Sequence, residues 1–111
     1  MQSFLERAAP QEAAVEDAFV KSDPRAALAI GHARGALLAI LGAAELPVTP
    51  YAPASVKRAV AGNGRADKEH VARMVRALLN MTPDPLPADE TDALAVAITH
   101  SMNRATQALM K

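Results

Sequence analysis

At 111 residues the chain has room for one domain and not comfortably two; half of it is apolar, yet aromatics make up only 3%. It carries no cysteine and no net charge, which excludes disulfides and thiolate metal sites, fits a reducing compartment and gives no bulk reason to expect nucleic acid. No apolar run reaches the roughly 18 residues of a membrane span, and the first residues lack the layout of a signal peptide.

The opening "MQSFLERAAP" reads as a short helical piece carrying Phe4, Leu5 and Ala8 and stopped by Pro10. It has no N-cap of its own and looks like the end of a helix. "EAAVEDAFV" follows, where Val15, Phe19 and Val20 favour a strand while Ala and Glu lean towards helix. The clearest helix is "SDPRAALAIGHARGALLAILGAAELP", with Ser22 or Asp23 as cap and Pro24 at its first position. Ala27, Gly31 and Gly35 fall four apart on one face of it, a spacing that lets another helix approach closely. "LPVTPYAP" predicts a short strand between prolines, and "ASVKRAVAG" a brief helix ending at Gly62. After the loop "GNGRAD", the stretch "DKEHVARMVRALLN" predicts a helix capped by Asp67, with Val71, Met74, Val75 and Leu78 as its buried stripe. A proline-punctuated loop then leads to a last helix from about Asp89 through Met102, with residues 101–111 as a polar C-terminal tail. The order helix, strand, helix, strand and three helices is α/β with two adjacent strands and packed helices.

Charge is unevenly spread. Ser55 to Arg76 holds six bases against Asp67 and Glu69, whereas Pro83 to Asp92 holds four acids and no base. A basic middle beside an acidic segment suits a site that grips phosphate next to a metal, and equally an ordinary solvated surface.

Two readings compete for "PADETDALAVAITH". Asp89 is a good N-cap and Asp92 then sits at the third helical position, where acids favour the helix dipole. Alternatively the two, three apart on one side of the helix, are ligands of a hard cation, which needs further oxygen donors from elsewhere. Glu16 is the candidate for that further donor, since a carboxylate in a mostly apolar stretch is costly if buried alone; it can also be a strand-end residue facing water. In "GNGRADK", Arg65 and Lys68 at a helix N-terminus make a fair anion seat, though the Lys-Ser/Thr of a Walker loop is absent. Its other reading is a turn with solvated bases. His32, His70 and His100 show no metal-ligand spacing and read as surface or packed histidines.

Taken in order, "AVEDAF", "ALAIGHARG", "LPVTPYAPASVKRAVAGNGRADK" with "VARMVRALL", and "ADETDALAVAITH" resemble the RuvC family of Holliday-junction resolvases, from about residue 13 to residue 100. The resemblance implies an RNase H-like fold, here as its C-terminal portion with the first three strands missing. It implies a structure-selective DNA endonuclease that resolves four-way junction DNA in recombination and repair by metal-dependent phosphodiester hydrolysis. Glu16, Asp89 and Asp92 match three of the family's four metal-binding carboxylates, and Glu90 is left as a solvated neighbour. The implied cofactor is Mg²⁺, two ions, with Mn²⁺ as the alternative. Phe19 matches an aromatic that contacts bases, and Lys57 and Lys68, with Arg65 beside them, match the basic residues near the cleaved phosphate. The "ALAIGHARG" helix matches the one through which the enzymes form homodimers, giving Ala27, Gly31 and Gly35 a symmetric partner. Cytoplasmic location and cooperation with the RuvA–RuvB branch-migration complex are implied as well. Because the family's first strand carries the fourth carboxylate, the expectation for this chain alone is impaired or absent cutting. The alternatives are a non-catalytic junction-binding or dimerisation remnant and, ranked last, an RNase H-like nuclease acting on RNA.

Overall fold

A computed structural model describes residues 2–17, 24–81 and 86–110. Its elements are α1 (Gln2–Ala8), β1 (Ala13–Glu16), α2 (Pro24–Ala43), β2 (Val48–Tyr51), α3 (Pro53–Ala61), α4 (Lys68–Leu78) and α5 (Ala88–Leu109). The chain divides into two units, Met1–Pro50 and Tyr51–Lys111. Among the described residues no helix is long and apolar enough to cross a membrane.

In the first unit, β1 and β2 pair in a two-stranded parallel sheet, and α2 is the crossover that parallel neighbours require. The Ala13 N–H donates to the Pro47 carbonyl at 2.9 Å, fixing the start of β1 against the approach to β2. Two left-handed residues set the loops. Ala9 (φ 46°) closes α1 with its N–H on the Leu5 carbonyl at 2.9 Å, just before Pro10. Glu45 (φ 58°) turns the chain out of α2, and the Leu46 N–H returns to the Leu41 carbonyl at 3.1 Å. That six-to-one closure ordinarily has glycine at the left-handed position.

The second unit packs α3, α4 and α5 around a core of Val56, Val60, Ala66, Val71, Val75, Ala95 and Val96, completed by Thr91 and Thr99. Val75 is wholly enclosed. Thr99 lies in this core because its hydroxyl donates to the Ala95 carbonyl at 2.8 Å, one turn back on its own helix. Of the stripe predicted for α4, Val71 and Val75 are buried and Met74 half-buried, but Leu78 is 46% exposed at the helix end. There Asn80 (φ 53°) lets the Met81 N–H reach the Arg76 carbonyl at 2.9 Å.

Two expectations are corrected by α5. The helix runs on to Leu109, so residues 101–109 are helical where the sequence suggests a polar tail. Asn103 to Leu109 contain no breaker, and Arg, Ala, Gln and Leu are strong helix formers that extend a helix already nucleated by packing. The N-terminus also lies earlier. Pro87 is the capping residue, with extended backbone and no side-chain hydrogen bond, and Ala88 is the first helical residue. Asp89 is therefore inside the first turn and does not cap it.

Candidate active site

In the first unit, Glu16 ends β1, half-buried, and lines a hollow with Val15 and with Ile30, Ala33, Arg34 and Leu37 of α2. Its neighbour Asp17 is exposed and paired with the Arg34 guanidinium (Nη2 to Oδ1, 3.1 Å). With both side chains about a third or more exposed, such a pair adds under about 1 kcal/mol, so its contribution is geometric: it ties the strand end to α2. The Arg34 Nε is buried and unpartnered among the described residues. Phe19 lies outside the described residues. Ala27, Gly31 and Gly35 all lie on α2, and a methyl group added at either glycine would meet no atom within 4 Å. Leu28, close to the same stripe, is 61% exposed on this largely apolar helix.

In the second unit, the loop between α3 and α4 is shaped by its own residues. Gly62 closes α3 in the left-handed region (φ 79°), with its N–H on the Arg58 carbonyl at 2.9 Å. The Asn63 Oδ1 accepts from the Arg65 N–H at 2.9 Å, an Asx turn. Gly64 passes so close to α3 that a methyl there would stand 3.4 Å from the Ala54 carbonyl. Ala66 is then buried, while Arg65 and Lys68 on either side are exposed. The anion seat read from "GNGRADK" is partly taken by the chain itself, because the Asp67 Oδ1 accepts from the His70 N–H at 2.8 Å at the start of α4. What remains for an outside phosphate includes the pair of cationic side chains. Lys57 is half-buried on α3.

Asp89 and Asp92 lie on α5, in its first and second turns, both exposed. With Pro87 as the cap, Asp89 and Glu90 favour the helix dipole, but Asp92 falls beyond the first turn and gains little from it. Asp92 shares its helix side with Val96, Thr99 and Asn103, at spacings of four, seven and eleven, all of them buried or half-buried. Asp92 is thus an exposed acid at the N-terminal end of a stripe that is buried further along, and capping does not account for it. Neither Asp89 nor Asp92 makes a side-chain hydrogen bond or ion pair with another described residue.

As a donor set, Glu16, Asp89 and Asp92 are hard oxygens suited to Mg²⁺ or Mn²⁺. Glu16 belongs to the first unit and the two aspartates to the second. Among the described residues, no group of three or more His, Asp or Glu is gathered into a metal cluster.

Sequence reasoning missed one polar cluster. Tyr51, the chain's single tyrosine, places its hydroxyl 2.6 Å from the His100 Nδ1 and accepts from the Asn103 Nδ2 at 3.1 Å. The two rings meet edge to face, centroids 5.7 Å apart at 73°. The only local signal was a His and an Asn three apart on one helix; their partner lies 49 residues away from His100.

A family model described as "Crossover junction endodeoxyribonuclease RuvC" matches residues 1–100, so the likeness takes in α1 as well as the stretch from residue 13. Relatives bearing that name include one from Methylocella silvestris, 51% identical over 102 residues, covering 92% of this chain and 57% of that protein. Another, from Moorella thermoacetica, is 48% identical over 101 residues, covering 91% of this chain and 60% of that protein. Thermus thermophilus RuvC in complex with Holliday junction substrate is 40% identical and superposes with a TM-score of 0.86, over 96% of this chain and 64% of that one. The structure of Thermus thermophilus RuvC described on its own gives 0.84.

The fold is thus of the α/β, RNase H-like class. The chain belongs to the RuvC family. It spans less than two thirds of the length of these relatives.

Proposed function

We propose that this chain acts on four-way junction DNA as a structure-selective endonuclease of recombination and repair, working in the cytoplasm. The observation that carries the reading is Asp92: an exposed acid, unpartnered among the described residues, in register with the buried face of α5, within a family match covering residues 1–100.

In this reading Glu16, Asp89 and Asp92 hold Mg²⁺, with Mn²⁺ able to take its place. Bound there, the metal supplies Lewis-acid charge for in-line hydrolysis of a phosphodiester. The carboxylates hold and orient; their role is not to shuttle protons. Lys57 and Lys68 neutralise charge gathering on the phosphoryl oxygens. Arg65 and Lys68, exposed on either side of the buried Ala66, grip the backbone of a junction arm. Phe19 contacts bases beside the cut. A second copy docks on α2 through Ala27, Gly31 and Gly35. Open space at both glycines supports a close helix approach, and the symmetry would place two sites for two opposed nicks. Cooperation with RuvA–RuvB belongs to the same reading.

The test is binding and Mg²⁺-dependent cleavage of a four-way junction, with linear duplex of the same sequence as the control. Asp92→Asn should keep junction binding and lose cutting; persistent cutting would refute the ligand assignment. Junction-selective binding by the unsubstituted chain without any cutting would instead support a non-catalytic junction-binding module.

A further inference from the structure

We propose that Tyr51, His100 and Asn103 form a positioning cluster that fixes the rotation and height of α5 and thereby aims Asp89 and Asp92. The inference rests on reading those two acids as metal ligands, and it concerns what sets their direction.

The buried face of α5 consists of Thr91, Ala95, Val96 and Thr99. These are short side chains, and the larger Leu94 and Ile98 beside them are only half-buried. A slip of one residue along such a face moves a helix by about 1.5 Å and turns it by about 100°. Metal coordination tolerates far less, on the order of a few tenths of an ångström. Asp89 and Asp92 have no side-chain partner among the described residues to hold their aim, so the backbone of α5 must supply it.

The cluster is built to do this. Hydrogen bonds are directional where methyl contacts are not, and Tyr51 makes two of them to α5, at 2.6 Å to His100 and 3.1 Å to Asn103. The two contacts are three residues apart, so together they define both an angle around the helix and a height along it. The ring contact of Tyr51 with His100 adds a third restraint. With Asn103 donating to the Tyr51 hydroxyl, that hydroxyl can in turn donate to the His100 Nδ1, which places the ring proton on Nε2.

The cluster also sits on the right side of the helix. Asp89, Asp92, Val96, His100 and Asn103 follow one another at spacings of three, four, four and three, a single stripe along α5. Whatever holds His100 and Asn103 in place holds the direction of the two acids, with about 12 Å of helix between Asp92 and His100 as the rigid link.

The experiment compares Tyr51→Phe, which keeps the ring and removes the hydroxyl, with Val75→Ala, which loosens the core without touching the cluster. His100→Gln serves as the conservative variant, since its amide oxygen can accept from Tyr51. NMR amide shifts and hydrogen exchange of residues 88–93 are read in each, together with Mn²⁺-induced broadening of those signals. Tyr51→Phe should shift residues 88–93, raise their exchange above the global level and weaken Mn²⁺ binding by about tenfold, as loss of an outer-shell support does. Val75→Ala should lower the melting temperature and leave Mn²⁺ binding within about twofold, and His100→Gln should retain most of it. Unchanged shifts and exchange at 88–93 in Tyr51→Phe would overturn the proposal, whatever the metal does. Equal weakening of Mn²⁺ binding in Val75→Ala would overturn it too, by reducing the cluster to general stability. Asp92→Asn separates the two layers: Mn²⁺ broadening that survives it would sink the ligand reading while the exchange result still decides what the cluster does to α5.

Discussion

Replacing both Gly31 and Gly35 by leucine gives effects of opposite sign on the two roles α2 can have. Each glycine sits inside a 20-residue helix, exposed, with no atom within 4 Å of where a methyl would be. Glycine in a helix interior costs about 0.8–1.0 kcal/mol relative to alanine, and leucine ranks just below alanine, so the double substitution should stabilise an isolated chain by about 1.5 kcal/mol. If a second copy of α2 lies against this stripe, the same leucines fall where the two backbones come closest. Overpacking of a fitted contact costs about 1–3 kcal/mol per site, and twofold symmetry repeats both sites. The dimer should then lose at least about 4 kcal/mol, nearly a thousandfold in its association constant. Sedimentation equilibrium reads the association constant, and thermal melts at low and high protein concentration read the stability of the separate and associated chains. An unchanged association constant, or a wild-type chain that stays monomeric at high concentration, would refute the assignment of this stripe to a partner helix.

Glu45→Gly should raise stability by roughly 0.5–1 kcal/mol in urea melts, because glutamate stands at a left-handed residue where glycine carries no Cβ penalty; a loss of stability would show that the Glu45 side chain holds the turn. Lys57→Ala and Lys68→Ala should each weaken junction binding and flatten its salt dependence by about one unit of logarithmic slope for every phosphate no longer neutralised. A slope unchanged in both would remove those lysines from the DNA surface.

Much of the chain is legible in its local chemistry. Pro24 opens α2 as its fixed backbone angle suggests, Asp67 caps α4 with the expected bond to the His70 N–H, and the order of helices and strands follows the apolar pattern. Failures fall where local rules point to more than one start. Asp89 has the chemistry of a cap, but the extended backbone of Pro87 lets the helix begin at Ala88, moving the acid into the first turn. The end of α5 is hard to read because its polar composition suits a solvated tail and a solvated helix alike, and the helix needs only good formers and a nucleated start. The anion seat at α4 is half legible: its bases are there, but the preference of the helix end for its own Asp67 decides what stands over the amides. Tyr51 with His100 cannot be read at all, since nothing within one helical turn of either residue announces the other.

The make-up of the second unit's core also governs how the sequence can drift. Its enclosed apolar residues are valine and alanine, with Val75 at full burial and Ala95 at 2% exposure. Trimming any of these valines to alanine removes only two methyl-sized groups, a loss of roughly 1.5–2 kcal/mol. Enlarging Ala95 or Ala66 overpacks an enclosed position, at a cost of about 1–3 kcal/mol. Substitution in this core therefore costs stability in either direction, and change comes most cheaply in the residues that face outward.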